Sequence, residues 1–218
     1  MRELERIQLM HLCSNVFPTG IFTHSFGYEG MLEAGLAKDL SSYQNYLSAV
    51  LKIGLGKADT AVLRFAYEQP QRLAEWDELC TALKPSREVR MASSRTGKAF
   101  VKAFIKMYPG TLLEGEELEN SNYAVVFGYA CRYLEISLSA ALEAYLTGTL
   151  LSYVQVAIKL IPLSQTDGQV VMKNVYPEIL QCVKEVMEME EEDIFSFTPM
   201  LDIASMNHEM QESRMYMS

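Results

Sequence analysis

A long apolar segment, Ser137 to Ile161, is the strongest constraint on how this chain folds. Its apolar residues return at close to helical spacing, and Pro162 follows, where a helix interior cannot continue. Because so apolar a helix must be covered on most sides, we predict that it is the central buried helix. The longest apolar run, Leu150 to Leu163, contains Gln155 and Lys159 and is too short to span a bilayer.

Most of the remaining sequence is also typical of helices. No alternating strand pattern and no internal repeat are found, and residues 109–122 are the most loop-like stretch. The predicted fold is therefore all-α, a single-domain helical bundle of roughly eight to ten helices over residues 1–218. Besides the central helix, helices are predicted at residues 2–13, 24–32, 39–69, 71–83, 87–108 and 123–134, and from about 166 toward 193. Gly35 is the predicted stop of the 24–32 helix, and Asp39 and Ser41 are the predicted caps of the next.

The composition excludes several classes of protein. A hydrophobic content of 49% with 22% charged residues indicates a globular chain, and a net charge of −9 disfavours nucleic acid and suits basic partners or cations. The four cysteines are far apart without a CxxC pair, which predicts buried thiols in a reducing compartment. Met1 is followed by RELER rather than by an apolar signal segment, so we expect a cytoplasmic protein.

The pattern of the C-terminal segment, Leu201 to Ser218, predicts a short helix, which needs packing against other structure to be stable. We predict Asp202 as its N-cap. Whether it docks on the core of its own chain or on a partner stays open at this point. One predicted face carries Ile203, Met206, Met210 and Met217, and a second carries His208, Gln211, Glu212 and Met215.

Catalytic motifs are weak. The segment GLGKADT, residues 54–60, lacks the first glycine and the Ser or Thr of a phosphate-binding loop. HEMQE, residues 208–212, has Glu212 where a zinc-binding helix needs a second histidine, so an exposed helix with a His208–Glu212 contact is the preferred interpretation. The acidic residues 188–193 are interpreted as a solvated helix end. An all-α metal- or haem-binding enzyme or ligand-binding protein that uses His11, His24 or His208 remains the alternative.

Two further segments are unusual. PTGIFTHSFGYEG, residues 18–30, places aromatic and imidazole rings among three glycines, which permit sharp turns or close backbone approach. KLIPLSQTDGQ, residues 159–169, ends a helix with a lysine, a proline and a run of amides and hydroxyls, which suits recognition of a surface more than acid–base chemistry.

Together with the C-terminal segment, these motifs resemble the urease accessory protein UreF family. The N-terminal family pattern is matched by Pro18, Gly20, Phe22, Ser25, Gly27 and Glu29. The middle pattern is matched by Pro162, Leu163, Gln165, Thr166, Gly168 and Gln169, with Ser164 where glycine is usual. The C-terminal pattern is matched by Ala204, Ser205, His208, Glu209, Gln211, Arg214 and Ser218, although Met215-Tyr216-Met217 departs from it.

The resemblance implies a non-catalytic chaperone that needs no cofactor of its own. Proteins of this family form a dimer and bind a second accessory protein, UreD (also called UreH). This pair recruits the GTPase UreG to apo-urease, so that nickel enters the active site. By this resemblance, residues 1–13 and 203–218 are partner-docking termini, and His24, Glu29 and His208 are weak candidates for transient nickel contact. The partner-binding residues it implies are Lys159, Gln165, Thr166, Gln169, Ser205, His208, Glu209, Gln211 and Arg214.

Overall fold

A computed structural model describes residues 2–115, 118–211 and 214–217. The all-α fold class is confirmed, because the regular structure in these ranges is helical. No helix among the described residues has the length and apolarity needed to cross a membrane. The α-helices are α1 (Glu3–Leu12), α2 (Tyr28–Glu33), α3 (Leu40–Ala49), α4 (Ala61–Glu68), α5 (Leu73–Ala82), α6 (Arg87–Met107), α7 (Leu112–Gly115), α8 (Tyr123–Tyr133), α9 (Leu138–Leu160), α10 (Gln165–Glu188) and α11 (Pro199–His208).

The predicted central helix is confirmed as α9, which packs against α4, α8 and α10. The buried residues of α9 belong to one hydrophobic cluster that reaches from α1 to Tyr216. Beside it, α4 and α8 approach so closely that a Cβ on Gly128 would lie 2.5 Å from the carbonyl oxygen of Leu63. The core is therefore an array of helices in which glycines set the closest backbone approaches.

The helix predicted from Asp39 to Gln69 has a more complex geometry than expected. Asp39 is the N-cap of α3, and Ser42 closes the capping box with it, while Ser41 lies in the first turn of the helix. The segment from Val50 to Thr60 is then a π-helix, and α4 follows it directly. Inside that segment, a Cβ on Gly56 would lie 2.5 Å from Cys182 Sγ, so α10 packs closely against this turn.

Several predicted boundaries need correction. The helix predicted at residues 24–32 begins later, as α2 at Tyr28, and a 3₁₀ turn, Ile21–Thr23, precedes it. Gly35 ends α2 with a φ of 76°, as predicted. The predicted loop 109–122 contains the short helix α7. The four cysteines carry free thiols, and Cys80, Cys131 and Cys182 are buried as predicted, whereas Cys13 is only half-buried.

The largest correction concerns the C-terminal segment. Asp202 is not an N-cap, because α11 begins earlier, at Pro199, with Thr198 at the cap position. The helix also ends at His208, so the single apolar stripe that was predicted to run from Ile203 to Met217 does not exist. The chain instead returns toward the N-terminal motif, where the Met217 amide donates to the carbonyl oxygen of Thr23 at 3.1 Å.

Candidate functional site

The N-terminal motif and the C-terminal helix meet across α2 and α11. A Cβ on Gly30 would overlap the carbonyl oxygen of Ala204, and a Cβ on Gly27 would lie 2.9 Å from the side chain of Leu201. The glycines therefore allow the close backbone approach that their spacing suggested. Ser205 of α11 also lies next to Gly27, and its fully buried hydroxyl lies 2.7 Å from the hydroxyl of Ser86, just before α6.

His208, the last residue of α11, is completely buried between two carboxylates. Its Nδ1 lies 2.7 Å from Glu88 Oε2, and its Nε2 lies 3.2 Å from Glu29 Oε2. The predicted exposed helix around His208 is therefore wrong, and its supposed partner Glu212 lies outside the described residues.

The same two carboxylates hold the chain after α11. Glu29 accepts hydrogen bonds from the amides of Met215, at 2.8 Å, and Tyr216, at 3.1 Å. Arg214 donates to the second oxygen of Glu88 at 3.2 Å. We refer to Glu29, Glu88, His208 and Arg214 as the tail clamp, because together they fix the C-terminal segment to α2 and α6.

His24 lies outside the tail clamp but next to a cleft that Glu88 and Arg214 also line. Burial, with a smaller contribution from the positive charge of Arg95, lowers the pKa of His24 to about 4. Its ring is therefore neutral at pH 7. Among the described residues, no group of three or more His, Cys, Asp and Glu side chains is arranged to hold a metal ion.

The remaining residues of the N-terminal motif shape the turn before α2. Gly20 has a φ of 70° and stands just before the 3₁₀ turn, while Pro18 is exposed. Ser25 is buried, and its hydroxyl accepts a long hydrogen bond, 3.4 Å, from the Glu29 amide. Phe22 is half-buried and points toward α9 and the tail. These residues position Glu29 at the start of α2.

The middle motif forms the junction between α9 and α10. Ser164 and Asp167 form a reciprocal capping box at the start of α10, with hydrogen bonds of 2.9 and 3.0 Å. Gly168 is buried, and a Cβ there would lie 2.6 Å from Ile158, so this glycine brings α10 close to α9. The predicted partner-binding residues of this motif are exposed: Lys159, Gln165, Thr166 and Gln169.

The three motifs converge at one cleft of about 260 Å³. Phe22 from the N-terminal motif, Lys159 from the end of α9 and Tyr216 from the tail all line it, together with Asn15 and Gln155. Lys159 is exposed and has no carboxylate within ion-pair distance among the described residues. The arrangement presents a cation and hydrogen-bonding groups to solvent but brings no nucleophile and general base together.

The outer surfaces of the two termini are apolar. On α1, Leu4, Ile7 and Met10 are 65%, 63% and 69% exposed, and they share one side of the helix. On α11, Ile203 and Met206 are also exposed, and Met210 follows in the turn after it. Such clustered apolar side chains are typical of surfaces that a partner covers.

The structure separates the predicted partner-binding residues into two groups. Ser205 and His208 face the interior of this chain, whereas Glu209 and Gln211 are partly exposed and Arg214 is exposed. Gln211 donates to Glu33 at the end of α2. Sequence reasoning missed Glu88, because a single glutamate in the first turn of a basic helix carries no signal that it faces a histidine 120 residues away.

Comparison with known proteins gives a consistent result. The UreF family model matches residues 37–176. The chain is 29% identical to the urease accessory protein UreF of Bacillus sp. (strain TB-90), over 97% of this chain and 98% of the relative. It is 33% identical to that of Corynebacterium glutamicum (strain R), over 96% of both, and 32% identical to that of Paenarthrobacter aurescens (strain TC1), over 98% of both.

Proposed function

Because this chain belongs to the UreF family of urease accessory proteins, we propose that it acts with UreD/UreH as a scaffold that recruits the GTPase UreG to apo-urease. Members of this family are accessory proteins rather than catalytic enzymes, which sets aside the alternative of an all-α metal- or haem-binding enzyme. The proposed task is to place partners so that nickel, the cargo, enters urease.

The observation that carries this proposal is the exposed apolar surface of the two termini. If a partner fully covered Leu4, Ile7 and Met10 on α1, burial of each side chain would contribute roughly 2 kcal/mol to the free energy of binding. Ile203 and Met206 add apolar surface on α11. On the buried side of this helix, Ser205 contacts Ser86 and His208 contacts Glu88. We assign residues 1–13 and the outward face of 203–218 to UreD/UreH.

We assign the cleft at the end of α9 to the GTPase. Lys159 is exposed and unpaired among the described residues, and a lysine there can meet a carboxylate of UreG. Gln165, Thr166 and Gln169 follow on the exposed first turn of α10 and can exchange hydrogen bonds with a protein surface. In the same proposal the protein forms a homodimer, resides in the cytoplasm and binds nickel at most transiently.

A capture experiment tests both assignments. Wild type is compared with Leu4→Ser/Ile7→Ser, with Lys159→Ala, and with two controls at exposed positions elsewhere, Met107→Ser/Leu112→Ser and Lys38→Ala. We expect the α1 double variant to weaken capture of UreD/UreH by about tenfold or more, and Lys159→Ala to reduce capture of UreG alone.

The fold of each variant is checked by circular dichroism, and exposed positions are chosen so that the core is unchanged. If folded wild type captures neither partner, the scaffold mechanism is wrong. If the controls weaken capture as much as the test variants, the contacts lie elsewhere.

A further inference from the structure

Helix α6 carries a net charge opposite to that of the whole protein. The chain has a net charge of −9, yet α6 contains six cationic side chains and a single carboxylate, that of Glu88. Arg87 and Arg95 lie two turns apart on one exposed side of this helix, with Met91 between them. The positive N-terminal end of the helix dipole adds to the potential near Arg87.

Arg87 and Arg95 open onto a cleft of about 280 Å³ between α6 and the C-terminal segment. Arg214, from the C-terminal segment, also lines the cleft, so three arginines share one space. Met91 and Met217 supply its apolar part. Guanidinium groups bind phosphate and carboxylate oxygens through paired N–H donors, and several of them around one cleft are typical of oxyanion recognition.

The acidic groups at this cleft do not neutralise the two α6 arginines. The carboxylate of Glu88 is buried and already occupied, with one oxygen accepting from Arg214 and the other facing His208. Among the described residues, neither Arg87 nor Arg95 has a carboxylate within ion-pair distance, although Glu209 also lines the cleft. Arg90, by comparison, is held by the carbonyl oxygens of Lys84 and Pro85.

His24 forms the inner wall of the cleft as a neutral group. It therefore adds no positive charge, and among the described lining residues the positive charge comes from the three arginines.

We propose that this cleft binds an oxyanion, a phosphoryl or carboxylate group, between Arg87 and Arg95, with Arg214 as the third donor. The cleft is separate from the apolar face of α1 and from the Lys159 cleft. Glu209, Arg214 and Met217 belong to the segment 203–218 assigned above to UreD/UreH, so anion binding is tested on this chain alone. Binding an oxyanion here would also favour the docked position of the tail, because Arg214 would be held from two sides.

Calorimetric titration of the full chain with inorganic phosphate and with glutarate, at constant ionic strength, tests this site. We expect wild type to bind at least one of the two, and Arg95→Ala and Arg87→Ala each to weaken that binding by about tenfold. Lys98→Ala removes the same charge from an exposed position of the same helix but lies outside the cleft, and it should leave the affinity within about twofold.

The two anions distinguish the chemistry of the ligand. Binding of phosphate alone identifies a phosphoryl site, and binding of glutarate alone identifies a carboxylate site. The proposal is overturned if neither anion binds at millimolar concentration, or if Lys98→Ala weakens binding as much as Arg95→Ala, which would show a diffuse charge effect. Loss of UreD/UreH capture without loss of anion binding would count against the scaffold proposal only.

Discussion

Two helical glycines of this chain differ in what an added methyl group would meet. At Gly30 in α2 it would overlap the backbone of Ala204, whereas at Gly148 in α9 nothing lies within 4 Å. We expect Gly30→Ala to lower the free energy of unfolding by about 1–3 kcal/mol, because α11 must move away. Gly148→Ala should raise it by about 0.5–1 kcal/mol, because alanine restricts the unfolded chain.

Urea unfolding of the two glycine variants measures both effects at the same pH and temperature. Equal stability of Gly30→Ala and wild type would show that α2 and α11 do not pack as closely as described. Loss of stability in Gly148→Ala would show that the outer side of α9 is not open.

The buried neutral ring of His24 should make stability depend on pH. Its pKa lies near 4 in the folded protein, below the ordinary value of 6.5, so the unfolded chain takes up a proton at a higher pH than the folded chain. The stabilising contribution is complete above about pH 6.5 and is lost as the pH falls toward 4. Within this window, the slope reaches at most about 1.4 kcal/mol per pH unit, the value for one proton.

Replacing His24 by glutamine removes the titrating group and keeps a polar side chain. Urea unfolding at several values between pH 7.5 and 4.5 should give a shallower decline for His24→Gln than for wild type. Identical slopes for the two proteins would contradict the buried, neutral state of His24.

At the scale of the element, the start of α10 explains one departure from the family pattern. Ser164, where glycine is usual, accepts a hydrogen bond from the Asp167 amide and completes a capping box. We expect Ser164→Ala to cost about 1 kcal/mol of stability and Ser164→Gly only a few tenths, since glycine is itself a tolerated N-cap. Thermal unfolding of both variants checks this order, and a larger loss for glycine than for alanine would contradict it.

The sequence predicted elements best where their signals are local. Asp39 as a cap, Gly35 as a helix end and Pro162 after α9 each act within a few residues, and the structure has them where they were expected. The π-helix at Val50–Thr60 was not predicted, because its geometry depends on close packing of Gly56 against Cys182, far along the chain. Helix α11 starts earlier than predicted because proline is favoured in the first turn, where Pro199 lies, and Asp202 is inside the helix.

At the scale of the whole molecule, the candidate site depends on contacts that sequence spacing does not encode. His208 was singled out from the sequence, but its partners Glu29 and Glu88 are 179 and 120 residues away. The three motifs were recognised separately, and only the fold brings Phe22, Lys159 and Tyr216 to one cleft. Residue types and motifs could thus be predicted, whereas the burial of His208 and the cationic cleft on α6 required the structure.

The tail clamp predicts that two truncations of the same tail differ in severity. Ending the chain at Asp202 removes Ser205 and His208 and leaves the Glu29 and Glu88 carboxylates without these partners, so we expect a loss of at least about 3 kcal/mol. Ending it at Gln211 keeps His208 and, among the described residues, removes the contacts of 214–217 to Glu29, Glu88 and Thr23, which should cost about 1–2 kcal/mol.

Urea unfolding, followed by near-ultraviolet circular dichroism, compares the two truncations with wild type. The comparison matters for function. If only the chain that ends at Asp202 loses partner capture, the cause is disrupted packing between α2 and α11 rather than the loss of partner contacts in the final residues. Loss of capture by the chain that ends at Gln211, with α11 still docked, would place the contacts in the final residues themselves. Equal stability of the two truncated chains would show that His208 does not anchor the tail.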